Sequence, residues 1–392
     1  MNIKFFSKPT KPPSPLPPEV CQIARLPEPP AGVFGFLRPE APPEWGLYEG
    51  LRQAVPVIDA AIQKIVRLAG GFTLISSDEG MQDALERFTR RVPVGLSGRT
   101  LQSFADAYLD SLLTYGSAVG EILPEPEAPG IAGLYNGHVR DIDVRPGASP
   151  VQARFYRRGP KGECSPLAYP ERILFTALNP PPGRPWGQSI LRGLPYLSGI
   201  LLRIYECAGQ NFDRAGNVRY AVTYKPQDSG DRAFAKDRAQ QIAAEWSAGM
   251  QASRSGEVRD FVAVGDVDIR VIGADGPILD SSVPVRQLLE QITAKLSIPP
   301  FLLGLSWSST ERMSAQQADI LTTELEFYRR LLTPVLIRIG ETFLRLEGSP
   351  AEAEVLWDSI NLQDEVELAD ARLKNAQARE IEARLEREAG IV

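Results

Sequence analysis

The sequence predicts an α+β protein built from a mixed domain, a long charge-poor helix, a small inserted module and a second long helix. Three observations predict it. Apolar residues recur at three- and four-residue spacing over 47–69 and 314–346, period-two segments cluster between 139 and 177, and a further strand–helix–strand set over 216–281 is flanked on both sides by helical pattern.

Taken in order, residues 7–43 hold twelve prolines, including "KPPSPLPPEV" and "LPEPP", a composition that favours extended backbone and builds no core alone. This stretch is read as a disordered leader or as an arm lying along a neighbouring copy. From Leu47 on, Leu51, Val55, Ile58, Ile62, Ile65 and Ala69 fall on one helical face, and Gly70-Gly71 ends that helix. A second helix over about 99–115 aligns Leu101, Phe104, Tyr108, Leu112 and Tyr115 and stops at Gly116. "HVRDIDVR", "VQARFYRR" and "RILFTAL", separated by Gly and Pro clusters, read as antiparallel strands and complete an α+β domain over the first 180 residues.

Residues 189–213 carry few charges and predict a helix of roughly 36 Å. The inserted module follows, with strand "NVRYAVTY", a helix through Phe234, Ile242 and Trp246, and strands "RDFVAVG" and "VDIRVIG". Helical pattern returns over 283–297 with Leu288, Ile292 and Leu296 on one face. Two prolines then lead through an apolar cluster into a Ser/Thr loop that carries Trp307. Ser314 and Gln317 have capping-box spacing, so the long helix is expected to begin there. Leu321, Leu325, Tyr328 and Leu332 continue a near-heptad stripe to Leu346, and Pro334 is expected to kink the helix, since it offers no N–H and crowds the carbonyl four residues back. A last amphipathic helix, acidic on its outer face, is expected over 362–389.

The totals fit this reading. With 392 residues, 43% hydrophobic and 23% charged, the chain has a globular composition. The longest apolar run falls short of the roughly 18–20 residues a spanning helix needs, and the start lacks the apolar core of a signal peptide, so a soluble, non-exported chain is expected. Three distant cysteines (Cys21, Cys164, Cys207) suit a reducing compartment. The formal charge of −6 belongs to the C-terminal region, because residues 347–392 hold 12 acids and 5 bases while the rest of the chain has 37 and 38.

The sequence shows no catalytic constellation. His138, the single histidine, lies between Gly137 and a strand, which suits a turn better than a nucleophile–base pair. "GRPWGQS" at 183–189 lacks the lysine and spacing of a phosphate loop and reads as a turn entering a helix. Asp141/Asp143 and Asp266/Asp268 each lack further oxygen ligands nearby and read as solvated strand faces. Lysines and arginines form no basic stripe. The expectation is a non-enzymatic protein with no cofactor and no metal.

Four stretches carry a family resemblance: "YLDSLLTYGSAVGEIL" (108–123), "ERILFTALNPPPGRPWGQSILRGL" (171–194), "SIPPFLLGL" (297–305) and "LLTPVLIRIGETF" (331–343). In that order, and with a helix–insert–helix arrangement between the second and third, the chain resembles the portal proteins of tailed bacteriophages and prophages. The likeness runs over about 46–346. It implies a ring, usually of twelve copies, around a channel for double-stranded DNA. On this pattern 1–45 is an N-terminal arm, 46–187 the wing, and 188–213 with 283–300 the stem. Residues 214–282 are the clip, 301–313 the tunnel loop, 314–346 the long kinked helix, and 347–392 a short helical crown.

The resemblance further implies that Leu305, Ser306, Trp307, Ser308, Ser309, Thr310, Glu311 and Arg312 face the channel. Hydroxyls and a self-cancelling Glu/Arg pair offer a duplex weak, sequence-blind contact. Trp307 faces either DNA or the neighbouring subunit's loop. Leu321, Leu325, Tyr328, Leu332, Leu288 and Ile292 are expected on a packing face satisfied in the ring. Implied partners are the chain itself, the major capsid protein and scaffold, the large terminase subunit, a head–tail adaptor and DNA, with no membrane. The implied location is the virion's portal vertex, reached by assembly in the host cytoplasm. Two alternatives remain at this point: a head–tail adaptor or other ring-forming virion component, and an α/β enzyme of undefined chemistry.

Overall fold

The computed structural model describes residues 43–149, 151–159, 162–216, 219–225, 234–254, 266–272, 280–305 and 311–360. The chain divides into two compact units, a body formed by Met1–Ser198 with Leu289–Val392 and a second unit formed by Gly199–Leu288. The class is α+β, with eight α-helices and four small antiparallel sheets among the described residues.

In the body, the single helix expected over 47–69 is two, α1 (Pro43–Ala54) and α2 (Pro56–Leu68). Pro56 is the reason. Its ring forces Val55 out of the helical region, to φ −124° and ψ 90°, and then serves as a helix start. Strand β1 (Phe72–Ser76) and helix α3 (Glu79–Arg91), both unforeseen, come next, and Asp78 caps α3 by accepting from the Gly80 N–H. Helix α4 (Leu101–Tyr115) has Thr100 and Ser103 as a reciprocal capping box, and ends at Gly116 in the left-handed conformation, φ 78°.

Strand β2 (Ser117–Pro124) runs beneath α4, flanked antiparallel by β3 (Ile131–Gly137) and β7 (Ile173–Ala177). Helix and strand approach so closely that a Cβ on Gly120 would lie 2.7 Å from the Phe104 ring, which only glycine avoids. Fully buried Tyr108 meets the central strand β2 and the edge strand β7, its hydroxyl lying 3.2 Å from the Ala118 carbonyl and 3.0 Å from Thr176 Oγ1. A second sheet orders β4 (Ile142–Pro146), β5 (Ala153–Arg158) and β6 (Cys164–Pro166). Its inner residues Ile142, Val144 and Phe155 join Val119, Leu123 and Ile173 in one apolar cluster. Edge-on contacts from Phe155 through Phe175 and Trp186 to Trp45 tie that cluster to α1.

The turn expected at 183–189 is bound into this core. Ser189 Oγ donates to the Thr114 carbonyl at 2.7 Å and accepts from the Leu191 N–H at 2.9 Å. The following helix, α5 (Leu194–Gly216), starts five residues later than 189, because Gly193 adopts φ 90° and Pro195 suits a first helical turn.

The second unit contains most of α5, strand β8 (Arg219–Lys225), helix α6 (Ala235–Arg254) packed on it, strand β9 (Asp266–Ile272) antiparallel to β8, and the start of α7 (Ser282–Lys295). The strand expected at 259–265 lies outside the described residues. Leu201, Ile242 and Leu288 are the buried hydrophobic residues of this unit among the side chains described.

Helix α8 (Glu311–Leu346) is continuous on both sides of Pro334. It begins at Glu311, so the expected cap is wrong: Ser314 and Gln317 lie inside the helix. The expected helical crown also needs correction at its start. Residues Ala353–Trp357 form strand β10, antiparallel to β1 with Phe72 opposite Trp357. The helix expected over 362–389 and the N-terminal arm up to residue 42 lie outside the described residues. No described helix is long and apolar enough to cross a membrane.

Candidate functional site

The junction between α7 and α8 is built from backbone constraints. At the end of α7 the Ile298 N–H reaches the Thr293 carbonyl at 3.2 Å, a six-to-one closure in which Ser297 takes the left-handed position, φ 53°, usually given to glycine. Ile298 and Pro299 are buried, and Pro300–Leu303 form a 3-10 turn packed against α2. Gly304 ends the turn at φ 74°, and the Leu305 N–H returns to the Pro300 carbonyl at 3.0 Å. A fixed post therefore presents whatever follows Leu305. Of the residues expected to face a channel, Leu305 is half-buried on this post, Glu311 and Arg312 belong to the first turn of α8, and Ser306, Trp307, Ser308, Ser309 and Thr310 lie outside the described residues.

The expected packing face is covered by the chain itself. Leu321, Leu325, Tyr328 and Leu332 of α8 are at most 5% exposed, and Leu288 and Ile292 of α7 are buried too. Burial pushes the Tyr328 hydroxyl up to about 12. These side chains need no second copy to remove them from water. Further along α8, Phe343 stacks on Phe88 at 4.4 Å, and Arg329 Nε donates to the Ala69 carbonyl at 2.8 Å, satisfying an orphan acceptor at the end of α2.

The apolar surface left in water lies elsewhere. On α5, Leu202, Tyr205 and Phe212 repeat at three- and seven-residue spacing, with Gly209 between, and Tyr205 and Phe212 are 49% and 64% exposed. Val283 on α7 and Met313 and Ile320 on α8, the last two seven residues apart, are exposed as well. None of these was singled out from sequence. The signal was present in the three-plus-four spacing on a charge-poor helix, but that pattern marks a face to be covered without saying which face the chain covers itself.

Among the described residues, the titratable groups Glu49, Arg52, His138, Asp143 and Asp268 are held in structural pairs. His138 caps a 3-10 turn, Val139–Asp141, its Nδ1 accepting from the Arg140 N–H at 3.1 Å. Its Nε2 lies 3.0 Å from Glu49 Oε1, which also accepts from the Tyr115 hydroxyl at 2.7 Å, while Arg140 pairs with Oε2. Partial burial raises the Glu49 carboxyl, but the bonds from His138 and Tyr115 and the Arg140 charge outweigh it and hold the group at about 2. A neighbouring cavity of about 570 Å³ is lined by Glu49, Arg52, Asp59 and Tyr115. Arg52 is already committed there to Asp59, Asp110 and Thr114 at 2.6–2.7 Å, so this network ties α1, α2 and α4 together. Asp143 is paired with Arg145 and Arg158, and Asp268 with Arg270. Among the described residues no group of three or more His, Cys, Asp or Glu could hold a metal ion.

No protein-family model matches the chain, and no curated protein is similar to it in sequence. Solved structures match it in fold. A chain in the virion of the native gene transfer agent (GTA) particle superposes with a TM-score of 0.59 at 18% identity, over 85% of this chain and 88% of that one. A chain in the neck of the native GTA particle, computed with C12 symmetry, gives 0.59 at 17% identity over 83% and 87%. One in the neck of the empty particle, computed with C6 symmetry, gives 0.59 at 18% over 83% and 87%. A looser overlap, TM-score 0.42 at 11% identity over 79% and 94%, is with an HK97 family phage portal protein from Corynebacterium diphtheriae. The chain has the fold of those GTA particle chains.

Proposed function

We propose that the chain is the subunit of a portal ring, a homo-oligomer of twelve copies at one capsid vertex through which double-stranded DNA enters and leaves. The observation that carries this reading is the fold likeness, over more than four-fifths of the chain, to chains in a particle neck computed with C12 symmetry. The four sequence stretches with portal character, in portal order, point the same way. In this reading the body around α4 and its sheets is the wing, and α5 with α7 is the stem. The module within Gly199–Leu288 is the clip that docks the large terminase subunit and later the head–tail connector. The segment after the 300–305 post is the tunnel loop, and residues beyond β10 are the crown.

The role is a conduit and not a catalyst, and no cofactor enters it. The exposed stripe of Leu202, Tyr205 and Phe212 supplies a physical reason for association: such a face costs free energy in water, and a neighbouring copy removes that cost. The capsid shell and scaffold are the remaining partners, the virion the final location and the host cytoplasm the place of assembly.

Negative-stain microscopy of the purified protein tests the reading, with rings of twelve around an open centre as the expected result. A monodisperse monomer at micromolar concentration overturns it. Capture of the large terminase subunit by the intact ring separates a portal from a head–tail adaptor of similar shape, because an adaptor lacks that contact.

A further inference from the structure

A basic, apolar-tipped surface on the body has no role in the portal reading. Arg87 and Arg91 lie four residues apart on α3, so their side chains share one face and repel each other. The chain then turns through a tight loop, with Val94 and Gly98 exchanging N–H···O bonds of 2.8 and 2.9 Å and the Gly95 N–H held by the Leu134 carbonyl at 2.9 Å. That pairing places Arg99 across from Pro93, two residues after Arg91. Arg87, Arg91 and Arg99 are exposed and have no ion-pair partner among the described residues. Leu96, at the loop tip, is 94% exposed. A rigid loop that holds a leucine in water beside three unpaired arginines is costly alone and complementary to an acidic, apolar-containing segment.

Such a segment leaves the body close by. After β10, the Asp358 N–H binds the Gly71 carbonyl at 3.0 Å, and the adjoining Gly70 carbonyl accepts from Gln102, three residues past Arg99, at 3.3 Å. The next residues, "NLQDEVELAD" at 361–370, contain Asp364, Glu365, Glu367 and Asp370, no base, and Leu362, Val366 and Leu368. Ten residues reach up to about 33 Å, enough to return to the arginines. We propose that the Arg87–Arg91–Arg99 surface with Leu96 at its tip is the docking site of residues 361–370 of the same chain. The site uses only residues of the body and its own C-terminal extension, so it stands whether or not rings form.

The test places p-benzoylphenylalanine at position 96 of the full-length protein and maps photo-cross-links by mass spectrometry, using a mixture of isotopically light and heavy chains. Cross-links within one chain to residues 361–370 are expected, and their yield is expected to fall roughly fivefold at high salt or in Arg87→Glu/Arg91→Glu/Arg99→Glu. If that variant does not fold, Asp364→Lys/Glu365→Lys/Glu367→Lys, placed beyond the body's last strand, is expected to cause the same loss. Cross-links to other segments alone, to added duplex DNA in place of the segment, only between light and heavy chains, or none at all overturn the proposal. A yield unchanged by salt and by both charge reversals overturns it as well.

Discussion

The two units solve the same problem in different ways. In the body, the apolar stripe of α8 is covered by the chain's own elements, and Leu325 is fully buried. In the second unit, α5 carries a stripe of comparable spacing that stays in water at Tyr205 and Phe212. A repeating apolar face therefore marks a need for cover; in one unit the chain itself supplies it, and in the other Tyr205 and Phe212 stay in water. In the ring reading proposed above, substitutions in the two stripes are expected to separate folding from association.

The sharpest attempt to break this contrast is Leu325→Asp. A charge placed where no water reaches is expected to cost about 4 kcal/mol or more, enough to unfold a marginally stable body, seen as loss of the cooperative melting transition by circular dichroism. If the variant melts like the parent and fails only to form rings, α8 belongs with the association surface and the contrast collapses.

Arg329→Met probes how the body closes on itself. Removing the donor leaves the Ala69 carbonyl buried and unpaired, at an expected cost of about 2 kcal/mol, readable as a lower urea midpoint with an unchanged slope.

Acid titration probes the α1 attachment. The folded Glu49 carboxyl lies at about 2, against an ordinary 4.5. A depressed carboxyl stabilises the fold above its unfolded value, and that stability drains away as pH falls from about 4.5 toward 2. Because the side chain is about a third exposed, screening leaves an expected contribution of only about 1 kcal/mol. Glu49→Gln is expected to flatten the stability profile across that window, and an unchanged slope would count against the network.

The smallest expected effect on stability comes from the other side of the comparison. Tyr205→Asp/Phe212→Asp is expected to leave the melting temperature within the shift of about 0.5 kcal/mol typical of exposed positions, while abolishing rings in sedimentation velocity. Intact rings from this pair would show that α5 is not the contact.

Much of the body was legible because its elements carry redundant signals. α4 was read from its apolar stripe and from the glycine that ends it, so two independent rules agree, and the structure adds the Thr100–Ser103 capping box. Where a rule stood alone it failed. The apolar period running through Val55 concealed the Pro56 break, and Ser314–Gln317 matched a capping box inside a helix that had already begun. Helix α3 was missed because its charges are dense and only Leu85 and Phe88 are buried. β10 was missed because five residues amid acids give too short an alternation to register. The site was less legible than the fold. Residues 297–305 announced a constrained junction through their prolines and glycine, but spacing alone does not tell whether a stripe is covered by its own chain or by a neighbour.

The pairing of β10 with β1 has a consequence for the order of events at the ribosome. β1, at Phe72–Ser76, is made well before its hydrogen-bonding partner Ala353–Trp357. Such a long-range closure waits until the intervening chain is made. A polypeptide released early by premature termination keeps an open strand edge at Phe72–Ser76 and lacks the Trp357 indole that donates to Thr333. The sheet can therefore close only once the chain has been made as far as Trp357.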